Sequence, residues 1–246
     1  MPEAARAITP AAGAAPLLAV RGLQGWYGES HVLHGIDLDV GTGEVVTLLG
    51  RNGAGKTTTL RAIIGILGKR SGSITYEGVE TIRMASRGIA RLGIGYVPEE
   101  RGIFASLSVH ENLMLPPTVK PGGMSVAEIH ALFPNLKERA KSQGTKLSGG
   151  EQQMLAIGRI LRTGAKLILL DEPTEGLAPV IVQQIGRTIL KLKEQGYTIV
   201  LVEQNFRFAQ TLADRHYVVE QGRVVDMIEN SRLDANIDKL HAYLGV

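Results

Sequence analysis

Apolar residues cluster along this chain in short continuous runs that are separated by stretches with helical spacing. Residues 45–49, 167–170 and 198–202 are β-branched or apolar throughout. Continuous runs of this length are typical of parallel strands that are buried on both faces. Residues 180–194, between the last two runs, have the spacing of an amphipathic helix. The pattern therefore predicts an α/β fold.

Shorter patterns predict the remaining elements. Further strands are predicted at residues 17–20, 36–40, 73–76 and 94–97. Strand patterns on both sides of Gln221-Gly222 predict a hairpin with its turn at these two residues. A helix is predicted over residues 237–244.

Helical spacing replaces the strand pattern between about residue 101 and residue 162. Ser108 and Glu111 resemble a capping box that opens a helix ending at Pro116. Further helices are predicted over residues 125–133 and after Gly149. This part of the chain is therefore predicted to be a helical insert between the strands.

Residues 50–57, GRNGAGKT, fit the phosphate-loop pattern G-x-x-x-x-G-K-[ST] directly after a predicted strand. Glycines let the backbone turn tightly and approach an anion. A helix predicted from about Thr57 directs its free N–H groups and its positive dipole end at the phosphates. Lys56 is expected to reach the β- and γ-phosphates, and the Thr57 hydroxyl is expected to bind Mg²⁺. The residues predicted to contact the nucleotide are Gly50, Arg51, Asn52, Gly53, Ala54, Gly55, Lys56, Thr57 and Thr58.

A pair of carboxylates, Asp171 and Glu172, closes the predicted strand at residues 167–170. Ligands gather at the carboxyl ends of strands in open parallel sheets, so both acids are expected to face the nucleotide. Asp171 is predicted to hold Mg²⁺, and Glu172 to orient or deprotonate the attacking water. Phosphoryl transfer needs positioning and charge stabilisation, which a lysine, a metal ion and one carboxylate can provide. Lys56 and Glu172 are therefore predicted catalytic residues.

Composition and charge narrow the class of protein further. The chain has 246 residues, 44% of them hydrophobic, which is ordinary for a globular protein with a sizeable core. Its net charge of +3 is too weak to indicate binding to nucleic acid. The absence of cysteine excludes disulfides and thiolate metal sites.

No apolar stretch reaches the roughly twenty residues that span a bilayer, so a membrane link is expected through a partner. Residues 1–16, rich in alanine and proline, are predicted to form a mobile tail.

The motif LSGGEQQ lies at residues 147–153, between the phosphate loop and the carboxylate pair. With these neighbours it resembles the ATP-binding-cassette (ABC) family, and every motif stands in family order. The resemblance implies that two ATP molecules lie between two subunits packed head to tail. Ser148, Gly149 and Gly150 of one subunit would then contact the γ-phosphate bound by Lys56 of the other. A hydroxyl, bare N–H groups and a helix N-terminus all favour an anion.

The resemblance also implies how the chain is organised. It implies an α/β, P-loop NTPase core of the ABC-ATPase type, with an antiparallel β subdomain and an inserted α-helical subdomain. Residues 17–99 and 163–246 would form the nucleotide-binding core, and residues 100–162 the helical insert. Tyr27 lies where the family has an aromatic residue that stacks on adenine. The alternative is an ordinary surface or core aromatic residue beside Trp26.

Two positions depart from the common family pattern. Glu99 stands in place of a glutamine that senses Mg²⁺ and the membrane partner, and Gln204 in place of a histidine that contacts the γ-phosphate. A carboxylate can still bind Mg²⁺ or its waters, and a glutamine amide can still donate to phosphate. Gln204 cannot transfer a proton at neutral pH, so a mechanism with the usual histidine as general base is excluded. The role of the base falls on Glu172, and Gln204, which can still donate to the γ-phosphate, is predicted to be a third catalytic residue.

Four segments resemble one subgroup, the smaller ATP-binding subunit of branched-chain amino-acid importers. They are VPE at 97–99, EPTEGLAP at 172–179, LVEQN at 201–205 and AYLG at 242–245. Urea or short-amide importers share much of this pattern and stay open as an alternative. A non-transport ABC ATPase would usually carry coiled-coil inserts, zinc motifs or a second cassette. LSGGEQQ argues against a generic phosphate-loop switch or kinase.

An importer subunit of this kind would hydrolyse ATP with Mg²⁺ as a peripheral protein at the cytoplasmic face of the inner (plasma) membrane. The implied partners are a second ABC ATPase subunit, identical or not, two integral membrane permease subunits and, indirectly, a periplasmic substrate-binding protein. No nucleic acid is expected. In the family, a groove near residues 101–104 receives a cytoplasmic helix of the membrane subunit. Phe104 is either an anchor for that helix or part of the core of the insert.

Overall fold

The computed structural model of this chain describes residues 15–244, so the tail predicted over residues 1–16 lies outside the described residues apart from its last two positions. The described strands are β1 (Leu18–Tyr27), β2 (Ser30–Val40), β3 (Val45–Leu49), β4 (Lys69–Tyr76), β5 (Val79–Glu80), β6 (Ile94–Val97), β7 (Leu167–Asp171), β8 (Thr198–Glu203), β9 (Arg215–Glu220) and β10 (Arg223–Glu229). The described α-helices are α1 (Lys56–Ile63), α2 (Ser86–Arg91), α3 (Val109–Met114), α4 (Val126–Leu132), α5 (Pro134–Glu138), α6 (Gly149–Arg162), α7 (Pro179–Glu194), α8 (Phe206–Ala209) and α9 (Ile237–Leu244).

A six-stranded sheet, in the order β10-β9-β3-β8-β7-β6, forms the centre of the structure. Its strands run parallel except for β10, which pairs antiparallel with β9. Every residue of β3, β7 and β8 is buried, which confirms the parallel strands predicted from the continuous apolar runs. Because these strands run in the same direction, the segments after Leu49, Asp171 and Glu203 meet at one edge of the sheet.

A second sheet of four antiparallel strands, in the order β2-β1-β4-β5, covers one face of the central sheet through α1. Leu18 of β1, Leu60 of α1 and Leu169 of β7 belong to the same buried cluster. The helix α1 and the loop before it therefore lie between the two sheets. β2 also contacts the hairpin of β9 and β10, where the His34 N–H donates to the Gly222 carbonyl at 2.8 Å.

The helices α3 to α6 lie between β6 and β7 in the chain and pack with α7 on the other face of the central sheet. Alternate residues of the central strands, such as Ile168 and Leu169, enter the two separate cores. The capping box predicted at Ser108 is confirmed, and Ser125 and Ser148 form equivalent boxes at the starts of α4 and α6.

The structure differs from the sequence predictions mainly at the ends of elements. The helix after the phosphate loop begins at Lys56, one residue before the predicted start. The strands β1 and β4 extend well beyond residues 17–20 and 73–76 because they pair with each other along most of their length. None of the helices within residues 15–244 combines the length and the apolar character needed to cross a membrane.

Candidate functional site

A cavity of about 360 Å³ lies at the carboxyl edge of the central sheet, between the phosphate loop and the segments after β6, β7 and β8. The predicted site residues that line it are Asn52, Gly53, Ala54, Gly55, Lys56, Thr57, Thr58, Glu99, Glu172 and Gln204. Val32 and Glu175 also line it, although neither is among the predicted site residues. Gly50 and Arg51 line an adjoining cavity that shares Gln204 with the first. The structure therefore brings most of the predicted residues into one place.

The phosphate loop owes its shape to glycines in left-handed conformations. Gly53 has φ 78° and Gly55 has φ 108°, values that side chains with a Cβ rarely adopt. Gly55 is the N-cap of α1, and no side chain caps the helix there. The N–H groups at the start of α1 are therefore left for an anion.

Lys56 is buried at the floor of the cavity, and its Nζ donates to the carbonyls of Gly50 at 2.8 Å and Arg51 at 3.1 Å. The Nζ also lies 3.6 Å from Glu172 Oε1. Burial lowers the pKa of Lys56, whereas the nearby carboxylates act in the opposite direction. A desolvated ammonium group in this position attracts an anionic phosphate more strongly than an exposed one would.

The turn between β9 and β10 holds the phosphate loop from the side. The Gly222 N–H donates to the Ala54 carbonyl at 2.8 Å, while the Gly222 carbonyl accepts from the His34 N–H at 2.8 Å. Gly222 has φ 73°, and a Cβ there would come within 2.0 Å of the Val32 carbonyl oxygen. The dipeptide Gln221-Gly222 predicts the turn itself, but nothing in the sequence indicates what the turn contacts.

We expect Gly222→Ala to weaken ATP binding by roughly tenfold or more, because the displaced turn pulls the phosphate loop out of position. Gly78→Ala is the matched control. Gly78 has φ 77°, also follows a residue with positive φ, and has nothing within 4 Å of an added Cβ. Both variants bear the same left-handed strain, so a titration with a fluorescent ATP analogue isolates the contact with the loop. Equal losses of affinity in the two variants would contradict this role for Gly222.

Asp171 lies beneath the cavity at the end of β7, fully buried. Its Oδ1 accepts a hydrogen bond from the Thr57 hydroxyl and its Oδ2 one from the Tyr96 hydroxyl, both at 2.8 Å. Burial raises the pKa of Asp171, and these two donors only partly offset that effect. Tyr96 is a site residue that the sequence analysis missed. Its only signal is a hydroxyl in an otherwise apolar strand.

Glu172 adopts a left-handed backbone conformation, with φ 45°. Non-glycine residues seldom do so outside functional sites and turns. Its N–H donates to the Val202 carbonyl at 3.0 Å, which attaches the turn to β8. Its Oε2 accepts a hydrogen bond from Gln204 Nε2 at 2.6 Å, while its Oε1 faces Lys56. The three predicted catalytic residues therefore form one chain of contacts.

Glu99 adds a third carboxylate to the site. Burial raises its pKa, and repulsion from Glu172 and Asp171 raises it further. A cluster of partly desolvated carboxylates favours the binding of a cation. Thr57, Asp171 and Glu99 offer oxygen donors alone, the ligands that Mg²⁺ prefers, so the residues fit this ion. Within residues 15–244 no group of three histidine, aspartate or glutamate side chains is arranged to hold a metal ion by itself.

The predicted residues Ser148, Gly149, Gly150 and Tyr27 do not line this cavity. Ser148 is exposed at the start of α6, and its hydroxyl oxygen accepts from the Glu151 N–H at 3.3 Å. Of the other two predicted contact residues in the LSGGEQQ segment, Gly149 is half-buried and Gly150 is buried. Tyr27, at the end of β1, is 45% exposed and is therefore a surface residue rather than part of the core.

Known proteins are similar to this chain in sequence and in fold. Residues 33–175 match the protein family described as ABC transporter. The chain is 45% identical over 229 residues to the high-affinity branched-chain amino acid transport ATP-binding protein BraG of Pseudomonas aeruginosa, covering 89% of this chain and 96% of BraG. It is 37% identical over 206 residues to the probable branched-chain amino acid transport ATP-binding protein LivF of Archaeoglobus fulgidus, covering 82% and 87%. A solved structure of an ATP binding subunit of an ABC transporter matches with a TM-score of 0.77 at 28% identity, covering 94% of this chain and 100% of that one.

Proposed function

We propose, from the premise that this chain belongs to the ABC transporter family and is an ATPase, that it powers the import of branched-chain amino acids. The family and the α/β ABC-ATPase fold predicted from the sequence are confirmed. The observation that carries the choice of substrate is the 45% identity to BraG over nearly the full length of both chains. The similarity to LivF points to the same substrate class.

In this proposal the chain has two functional parts. Residues 17–99 and 163–246 act as the nucleotide-binding core, and residues 100–162 act as the helical insert that carries LSGGEQQ. The cavity beside the phosphate loop binds the ATP phosphates, and Tyr27 stacks on the adenine. The free N–H groups at the start of α1 support this assignment.

The hydrolytic step depends on Lys56, Glu172 and Gln204. Lys56 exchanges its carbonyl partners for oxygens of the β- and γ-phosphates and balances their charge. Glu172 orients the attacking water and takes up its proton. Gln204 donates one amide hydrogen to Glu172 Oε2, at 2.6 Å, and has a second hydrogen for the γ-phosphate. A glutamine can therefore replace the usual histidine in positioning, but not in proton transfer.

Thr57, Asp171 and Glu99 would hold Mg²⁺, directly or through water. When bound, the ion supplies positive charge against the phosphate oxygens. Asp171 is suited to this role because its carboxylate is buried and is held by two neutral hydroxyl donors, Thr57 and Tyr96.

A second ABC ATPase subunit, identical or different, would complete the site. Ser148, Gly149 and Gly150 of that subunit would contact the γ-phosphate. Ser148 is exposed at the start of α6 and none of the three residues lines the chain's own cavity, which supports a shared site. Two integral membrane permease subunits would hold the pair at the cytoplasmic face of the membrane, and a periplasmic binding protein would deliver the substrate.

Uptake measurements test this function. Deletion of the gene from its native organism should abolish high-affinity uptake of labelled leucine, isoleucine and valine, and the wild-type gene should restore it. Loss of urea or short-amide uptake instead would favour the alternative importer. Unchanged uptake of all these compounds, with no co-purifying pair of hydrophobic subunits, would favour a non-transport ATPase.

Phe104 supports a contact with the permease at the surface of the helical insert. Its ring is 46% exposed, so Phe104 does not belong to the core of the insert. The backbone behind the ring is held by Asn112, whose side chain accepts from the Phe104 N–H and donates to its carbonyl, both at 2.9 Å. The Arg159 guanidinium lies 4.8 Å from the ring centroid. A supported and exposed aromatic ring of this kind fits an anchor for a partner helix.

We expect Phe104→Ala to fold and bind ATP normally but to weaken assembly with the permease subunits by about tenfold or more, the loss typical of an anchor side chain. Co-purification and transport in reconstituted vesicles measure this effect. Val79→Ala, an equally exposed apolar residue on β5, is the control and should assemble normally. A Phe104 variant that unfolds, or that assembles and transports like the wild type, would exclude the anchor role.

A further inference from the structure

Glu203, the last residue of β8, carries a buried carboxyl group that has no part in the mechanism above. Its side chain is 3% exposed, and among the described residues no lysine or arginine forms an ion pair with it. Burial raises the pKa of Glu203 to about 7. A carboxyl group in such a place is costly unless its oxygens are hydrogen-bonded. Its partners are therefore informative.

The two oxygens of this carboxyl group contact two different segments at the edge of the site. Glu203 Oε1 accepts a hydrogen bond from the Thr174 hydroxyl at 2.7 Å. Glu203 Oε2 accepts a longer one from the Asn205 N–H at 3.4 Å. Thr174 follows Glu172 by two residues, and Asn205 directly follows Gln204. One buried carboxyl group thus joins the turn that carries Glu172 to the segment that carries Gln204.

The contact between Glu172 and Gln204 depends on how the two segments that Glu203 joins are placed. Glu172 and Gln204 come from the ends of neighbouring strands and meet through long side chains at 2.6 Å. Long side chains keep such a contact only when the backbones that carry them are held in place. The Thr174–Glu203 hydrogen bond is the buried side-chain link between the two segments, and neither residue lines the nucleotide cavity.

We propose that Thr174 and Glu203 are positioning residues that hold Glu172 and Gln204 in the arrangement needed for ATP hydrolysis. The inference rests on the proposed function, since it assumes that Glu172 acts on the attacking water. The pair is expected to act on the step of hydrolysis and not on nucleotide binding, because neither side chain lines the cavity beside the phosphate loop.

Thr174→Val removes the hydroxyl and keeps the shape of the side chain. In the full-length chain we expect kcat to fall by about tenfold or more, with KM for ATP changed by less than about twofold. Thr174→Ser keeps the hydroxyl and should restore most of kcat. Glu203→Gln should also lower kcat, because its amide has one acceptor oxygen in place of two and cannot accept from both the Thr174 hydroxyl and the Asn205 N–H. The double variant should lose little more than the worse single variant, since both changes disrupt the same link between the two segments.

Thr188→Val is the matched control for a lost threonine hydroxyl. Thr188 is 4% exposed, against 7% for Thr174, and its hydroxyl donates to the Gln184 carbonyl at 3.0 Å within α7. The control should lose some thermal stability without a change in kcat. Each rate is divided by the concentration of protein that binds ATP, so that unfolded protein does not lower the measured kcat.

An unchanged kcat in Thr174→Val and Glu203→Gln would overturn the proposal. So would equal losses in Thr174→Val, Thr174→Ser and Thr188→Val, which would indicate general destabilisation. The catalytic assignment is tested separately by Glu172→Gln. If Glu172→Gln is inactive while Thr174→Val and Glu203→Gln are fully active, only the positioning role fails. If Glu172→Gln hydrolyses ATP normally, both the proposed mechanism and the positioning role fail.

Discussion

Replacing Glu172 with glutamine is expected to slow ATP hydrolysis by roughly a hundredfold or more while leaving ATP binding intact, because the catalytic base is lost. The glutamine keeps the length of the side chain, and its carbonyl can still accept the hydrogen bond that Gln204 donates at 2.6 Å. Lys56 and the phosphate loop stay in place, and one negative charge near the γ-phosphate is removed. ATP should therefore bind well, stay unhydrolysed and hold two subunits together.

Phosphate release, titration with a fluorescent ATP analogue and sedimentation with and without ATP measure these three effects. Glu100→Gln is the control because it makes the same chemical change on a neighbouring exposed glutamate. Glu100 pairs with Arg61 at 3.4 Å on the surface and does not line the cavity. The control should hydrolyse ATP like the wild type. Turnover near the wild-type rate in Glu172→Gln would show that Glu172 is not the base.

Ser148→Arg is expected to abolish hydrolysis while leaving ATP binding by a single subunit largely intact. Ser148 is exposed at the start of α6 and does not line the cavity of its own chain, so an arginine there would obstruct only the opposite subunit. The change also removes the capping box of α6, which costs about 1 kcal/mol of stability. Ser125→Arg removes the equivalent box at the start of α4 and serves as the control for that loss.

Lys56→Ala is the counterpart of Ser148→Arg, because Lys56 is buried inside the cavity of its own chain. The substitution removes the cation that faces the phosphates and should therefore weaken ATP binding by the monomer itself. Binding is measured at protein concentrations below those at which subunits associate, and hydrolysis above them. If Ser148→Arg and Lys56→Ala weaken binding by the monomer to the same extent, the two-subunit site is wrong for this chain.

The sequence by itself determined the local elements and the type of chemistry. The continuous apolar runs predict β3, β7 and β8, because a strand covered on both faces needs apolar residues at every position. Ser108 and Glu111 predict the start of α3, because a capping box involves residues three apart. The phosphate loop and the carboxylate pair indicate phosphoryl transfer in the same way. All of these signals involve residues close together in the chain, so they can be read without knowing the fold.

The tertiary structure alone decided which segments meet. Tyr96 contacts Asp171 across 75 positions of sequence, and Thr57 contacts it across 114. Such contacts follow from the order of the strands in the sheet, and hydrophobic patterns report the burial of a strand but not its neighbours. The same holds for Gly222 beside the phosphate loop and for the bridge between Thr174 and Glu203. The first depends on β9 lying beside β3, and the second on β7 lying beside β8, so that the segments after these strands meet at one edge of the sheet.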